Sequence, residues 1–171
     1  MAKRRTHDPV PWLDESQLDA WKSLMGMLTM LPAALDAQLK RDAGLNTFEY
    51  HVLVQLAETP DRRLPMSALA CAAQGSPSRL SHAVRRLENS GWVERVTSSE
   101  ERHRVDARLT DLGWNKLVDT APGHVREARR LVVDALSPDQ LAALGDAART
   151  VLAAIDPSTA PSARGETVDP S

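Results

Sequence analysis

The chain has little of what covalent and metal chemistry use. Its 171 residues include one cysteine, Cys71, so neither an intramolecular disulfide nor a cysteine-based zinc site is available. Cys71 lies in an alanine-rich stretch and is expected to be a small buried helix residue, with no basic neighbour in sequence to activate it. Long apolar runs are also missing. The longest, Leu24 to Leu35, is about half a membrane span and contains Thr29 and Pro32. Lys3, Arg4 and Arg5 are not followed by an apolar core, so no secretory signal and no membrane partner are expected, and the expected compartment is the cytoplasm. No nucleophile elbow, phosphate-binding glycine loop, metal-ligand cluster or recognisable carboxylate pair is present. Catalytic residues, metals and cofactors are therefore not expected. The net charge of −2 excludes a protein basic all over, and an anionic partner would have to be met by a local patch.

Such a patch exists. From Ser76 to Arg108 seven arginines face five acidic residues, a local +2 inside a negative chain. Within it, Ser76 is placed to cap a helix, with Pro77 at the first helical position. Leu80, Ala83, Val84 and Leu87 form an apolar stripe at the helical period. Ser78, Ser81, His82 and Arg85 form the opposite stripe, flanked by Arg79 and Arg86, with no carboxylate before Glu88. Small hydroxyls let a helix lie deep in a groove, and arginine reaches guanine edges or phosphates.

The neighbouring segments give this helix a setting. Asp14 with Gln17 reads as a capping box opening a long helix, with Leu13 and Leu18 spaced for a hydrophobic staple. Its stripe, Leu18, Trp21, Met25, Leu28, Leu35 and Leu39, is widened by Met27, Leu31 and Ala34 beyond what one neighbour would cover. Pro32 predicts a kink, and Gly44 is placed to end the helix. Thr47 is expected to cap the next helix, which carries Phe48, Val52, Leu53 and Leu56. A turn at Thr59–Asp61 and an extended piece at Arg62–Leu64 lead to a third helix from about Pro65 to Gln74. Two short helices joined across Gly75 make a helix-turn-helix. After Gly91, Trp92–Thr97 and Val105–Leu109 read as strands of a hairpin with a basic tip. Thr110–Asp111 opens a helix with Trp114, Leu117, Val118 and Ala121 on one side, and a bend is expected at Pro122–Gly123. Ser137, Pro138 and Gln140 start a last helix, whose stripe is Leu141, Leu144, Ala148, Val151, Leu152 and Ile155.

The fold expected is mainly α with a small β-hairpin wing: a winged helix-turn-helix over 47–109, further helices at 14–43 and 110–157, and flexible tails at 1–12 and 158–171. Helix, helix and basic hairpin together point to double-stranded DNA as partner. Ser76, Ser78, Arg79, Ser81, His82, Arg85 and Arg86 of the helix and Arg102, His103 and Arg104 of the wing are the candidate contacts. A winged helix used only to bind proteins is the rival reading. Such a module should lose the basic tip and the polar stripe, and this chain keeps both.

Over about 14–157 the chain resembles the MarR family of bacterial transcription regulators. The residues that carry the resemblance are Met66–Ala70, Ser78–Ser81, Arg86–Val93, Glu101–Arg104 and Arg108–Gly113. The resemblance implies an obligate homodimer in which the first helix (14–43) and the last two (110–157) interleave as dimerisation segments, and a wing reaching the minor groove. Two recognition helices per dimer lead to the expectation of an imperfectly palindromic operator, and the expected role is repression. In that family's wing, Asp-Arg-Arg or Asp-x-Arg is common. Here Glu101, Arg102 and His103 take those places, so the groove arginine would come from Arg102 or Arg104, or His103 replaces it. The resemblance also implies a small aromatic effector at the hinge between lobes. Trp21, Met25, Tyr50, His51 and Trp114 are the candidate side chains there, and His124 sits on a helix nearby.

Overall fold

The computed structural model describes residues 10–97 and 104–157. Most of the first expected tail, the whole of the last, and Arg102 and His103 at the wing tip lie outside the described residues. The chain divides into two compact units, Met1–His124 and Val125–Ser171.

In the first unit, helix α1 (Glu15–Ala43) starts on the expected capping box. Asp14 accepts from the Gln17 amide at 2.9 Å, and the Gln17 side chain accepts from the Asp14 amide at 3.1 Å. Pro32 lies inside the helix without ending it. Gly44 ends it with φ 67°, a left-handed conformation that suits glycine. Only Gln38 and Leu39 of α1 are buried. Helix α2 (Thr47–Ala57) is capped one residue earlier than the sequence suggests. Asn46 accepts from the Glu49 amide at 2.9 Å, and Glu49 accepts from the Asn46 amide at 3.0 Å. Thr47 instead donates its amide and hydroxyl to Asp36 of α1, at 2.9 and 3.2 Å. That carboxylate also pairs with Lys40 at 2.6 Å. Lys40, then the Thr47 amide, hold its pKa below the usual aspartate value.

After a tight turn at Pro60–Arg62, strand β1 (Arg63–Pro65) leads into helix α3 (Met66–Ala72). Cys71 is exposed, contrary to the sequence expectation. Leu69, Ala70 and Ala73 turn to the core, which puts Cys71 on the outer side of a short helix. Gln74 takes the left-handed turn conformation, φ 51°, and Gly75 is needed for another reason. A Cβ there would stand 2.4 Å from the Phe48 ring. Helix α4 (Pro77–Asn89) starts as expected, Ser76 accepting from the Arg79 amide at 3.2 Å. Leu80, Ala83, Val84 and Leu87 are all buried against Phe48, Val52, Leu53, Leu56, Leu69 and the sheet.

Strands β2 (Val93–Thr97) and β3 (Val105–Leu109) form the expected hairpin, registered Val93 with Leu109 through Thr97 with Val105. The sheet has three strands, not two. β1 pairs with the other edge of β3, from Arg63 opposite Arg108 to Pro65 opposite Asp106. A three-residue strand carries too short a pattern to announce its partner. Ala107, Leu109 and Val93 face the core.

On the other side of β3, Asp106 is 2% exposed. It accepts from Arg63 Nε at 2.8 Å and Arg104 Nε at 3.1 Å. Burial raises its pKa, but the two guanidiniums outweigh burial and hold it below the usual carboxylate range. Arg104 is therefore engaged at the wing root, where the sequence alone assigns it to the groove.

Helix α5 (Asp111–Ala128) opens on Thr110, whose hydroxyl accepts from the Gly113 amide at 3.0 Å and donates to the Gly91 carbonyl at 2.7 Å. Its buried residues are Gly113, Leu117 and Thr120. Trp114 and Val118, expected on the inner stripe with Leu117 and Ala121, are exposed. The inward line starts at Gly113 because the helix lies directly on the Trp92 backbone: a Cβ at Gly113 would be 2.0 Å from the Trp92 carbonyl oxygen. The helix continues through Pro122–Gly123, and the departure from α-geometry comes later, in a π-helical turn at Arg129–Val133.

The second unit contains the end of α5, that π turn and helix α6 (Pro138–Ile155). α6 starts on the expected capping box, Ser137 accepting from the Gln140 amide at 3.2 Å and Gln140 accepting from the Ser137 amide at 2.9 Å. None of its residues is buried.

Two expectations follow. Gly113→Ala should cost on the order of 3 kcal/mol, since the obstacle is backbone, and Gly75→Ala less, because the Phe48 ring can shift; urea denaturation measures both. For Asp106, the lowered folded pKa means its stabilisation is complete above about pH 4 and is lost as pH falls through the folded value. Asp106→Asn should cost about 2 kcal/mol at pH 7, and its difference from wild type should shrink on acidification to about pH 3.

Candidate nucleic-acid interface

The outer face of α4 presents Ser78, Arg79, Ser81, His82, Arg85 and Arg86, all exposed, opposite the buried stripe. The helical period alone sorts the two faces, so sequence and structure agree on this geometry. The side chains differ in how they are held. Arg85 Nη2 lies 3.0 Å from His82 Nδ1. Guanidinium only donates, so this contact casts Nδ1 as the acceptor. Arg79 lies over the Phe48 ring, 4.2 Å from its centroid. Arg86 reaches inward as well: its Nε is 2.9 Å from Oε1 of Glu49, a carboxylate 2% exposed. That pair is close but not aligned for a hydrogen bond. Arg86 thus braces α4 on α2 while the rest of its guanidinium stays in solvent. The Asn46-x-x-Glu49 box was the available sequence sign that Glu49 turns inward.

The wing is tied to the same helix. Both Glu88 oxygens are occupied by Arg95 of β2, one accepting the Arg95 amide at 3.1 Å and the other 3.1 Å from Nη1. Arg95 Nη2 donates to the Ser81 carbonyl at 3.3 Å. On the far side of β2 and β3, Arg108 pairs with Glu94. Arg102 and His103 lie outside the described residues, and Arg104 is the one assigned wing contact whose place is seen.

A cleft of about 740 Å³ lies beside α4, lined among others by Pro32, Lys40, Phe48, His51, Arg79 and His82. Of the candidate effector residues, Tyr50 is buried and His51 exposed. The Tyr50 ring centroid is 4.7 Å from that of His124 and 6.4 Å from that of His51. His124 Nδ1 meets Gln38 Oε1 at 3.1 Å, and Gln38 Nε2 donates to Asp42 at 3.1 Å. Burial, then the nearby His51, lower the His124 pKa, and burial raises that of Tyr50. Trp114 lies under Arg62, 4.1 Å from its guanidinium carbon. Trp21 and Met25 are exposed on α1, roughly 25 and 20 Å along the helix from Gln38 at about 1.5 Å per residue. Within one chain, then, the five candidates do not line a single pocket. Among the described residues no group of three or more His, Cys, Asp or Glu is placed to hold a metal, and no helix is long and apolar enough to cross a membrane.

Comparison with known proteins fits this geometry. The profile of the MarR family matches residues 45–105, from the start of α2 to the root of the wing. The crystal structure of Sco3205, a MarR family transcriptional regulator from Streptomyces coelicolor in complex with DNA, superposes with a TM-score of 0.83 at 44% identity, covering 90% of this chain and 96% of that one. AbsC, a MarR family transcriptional regulator from the same organism, gives 0.79 at 33% identity, covering 84% and 97%. A curated relative, the transcriptional repressor MprA of Escherichia coli (strain K12), is 28% identical over 79 residues, 46% of this chain and 45% of MprA, so the chain spans under half the length of that relative. With the helix and the two wing strands in place and a relative matched over nearly its whole length at 44% identity, the chain belongs to the MarR family.

Proposed function

We propose that this chain is a sequence-specific DNA-binding regulator of transcription, acting as a homodimer on a palindromic operator, and that its role is repression. The observation that carries the reading is the exposed Ser78–Ser81–His82–Arg85 face on a helix whose other side is the core of the unit. The four side chains offer donors and small hydroxyls where a solvated helix would mix glutamate and lysine. Sco3205 was crystallised with DNA, and MprA is named a repressor; both support extending those properties to this chain.

The dimer rests on apolar surface that each unit leaves exposed. Leu18, Trp21, Met25 and Leu28 of α1 are 40–55% exposed, and Val151, Leu152 and Ile155 of α6 are 49–74% exposed. Apolar area on this scale is stabilising when buried, by about 25 cal/mol per Å², and a monomer seldom leaves it uncovered. Release by a small aromatic ligand completes the proposal, with Tyr50, His51 and His124 as the group to monitor when such ligands are titrated.

Binding to operator and scrambled duplexes across a salt series tests the DNA reading. Arg85→Ala should cost about 1–3 kcal/mol on operator and much less on scrambled DNA. Arg102→Ala should weaken both more evenly and lower the salt slope by about 0.9 for each phosphate it no longer neutralises. If wild type does not prefer operator, or neither variant loses affinity, the chain is better read as a protein-interaction module. For the dimer, sedimentation should show no folded monomer at nanomolar concentration; a folded monomer there would remove the obligate interface.

A further inference from the structure

We infer that Glu88 and Arg95 are positioning residues that make the recognition helix and the wing a single rigid reader, so that the two are engaged by DNA cooperatively. The inference rests on the DNA-binding reading of α4 and the wing, and adds what couples them. Ser81, Arg85 and Glu88 stand at i, i+4 and i+7, one above another on the same side of α4. Arg95, on the first wing strand, spans that row: its guanidinium takes the Ser81 carbonyl at one end and a Glu88 oxygen at the other. Its amide takes the second Glu88 oxygen. One strand residue is thereby fixed at three points to two turns of the recognition helix. A carboxylate that accepts a backbone amide through one oxygen and pairs with a guanidinium through the other is held in direction as well as distance.

The placement leaves two uses for Arg95 that predict opposite results. As a DNA contact, Arg95 would act through its charge. Lysine would then serve nearly as well, and neutralising Glu88 would tighten binding by freeing a cation beside the phosphates. As a clamp, Arg95 acts through its fork. Lysine cannot bridge Ser81 and Glu88, and neutralising Glu88 loosens the wing.

The test uses the full chain as wild type, Glu88→Gln and Arg95→Lys, in two arms. The first needs no DNA. Nitroxide labels at the exposed positions Asn89 and Thr97, in a Cys71→Ser background and diluted with unlabelled chain, report the distance between helix end and wing strand. A narrow distribution in wild type that broadens in both variants, with the thermal midpoint of the core little changed, supports the clamp; equal widths overturn it. In the second arm Arg85→Ala and Arg102→Ala are combined on a selected operator. In wild type their losses should be non-additive by about tenfold, and in the Glu88→Gln background additive within about twofold. Tighter operator binding by Glu88→Gln, wild-type binding by Arg95→Lys, or coupling that survives in Glu88→Gln each overturns the inference. A wild type without preference for operator overturns the DNA reading, and the label distances still report separately whether the clamp exists.

Discussion

At Thr110 four pieces of chain meet with no room to spare. Its amide donates to the Trp92 carbonyl at 3.1 Å and its hydroxyl to the Gly91 carbonyl at 2.7 Å, while the same hydroxyl accepts from the Gly113 amide. Gly91, left-handed at φ 72°, lets the chain leave α4 and turn into β2. Gly113 lets α5 lie on the Trp92 backbone, where any side chain would collide. The end of the recognition helix, the start of the first wing strand, the end of the last, and the start of α5 are fixed to one another here. If this junction opened, the wing would lose one of its fixed points beside α4, and only the Arg95 contacts and the buried faces of β2 and β3 would still hold it.

The positions of the helices are legible in sequence because caps and stripes are local. Asp14 with Gln17, Ser76 with Pro77 and Ser137 with Gln140 each announce a helix start within four residues, and each is found as read. The buried stripe of α4 follows from the 3.6-residue period alone. What is illegible depends on contacts distant in sequence. β1 is a strand because β3 passes beside it, and three residues cannot encode that. Thr47 has the look of a cap, but Asp36, eleven residues earlier, takes its hydrogen bonds. Trp114 and Val118 read as core because they are apolar, yet the inner line of α5 is set by where Gly113 must sit.

The candidate site is legible in outline and not in detail. Sequence gives each arginine the same charge, and a count of seven against five makes a basic patch. The structure gives these arginines different partners: Arg86 braces buried Glu49, Arg95 holds Glu88 and the Ser81 carbonyl, Arg108 meets Glu94, and Arg104 with Arg63 encloses Asp106. Arg79 rests on the Phe48 ring and Arg85 against His82. Among the described residues, the patch is thus largely a frame of ion pairs around the few groups whose donors face outward.

Such a frame suits the proposed reading, in which α4 meets a polyanion. Phosphate attraction is strong, long-ranged and indifferent to sequence. A helix carrying many loose cations would bind any duplex, and each side chain would lose rotamer freedom on contact. Arginines already committed to carboxylates add little to that indiscriminate attraction, and they hold the backbone of α4 and the wing strands in place. On the proposed reading, the remaining groups, Ser78, Ser81, His82 and Arg85, would meet the groove from a fixed platform, where a misplaced base leaves a donor unpaired. Selectivity of this kind comes from how few cations are left uncommitted and how firmly they are aimed.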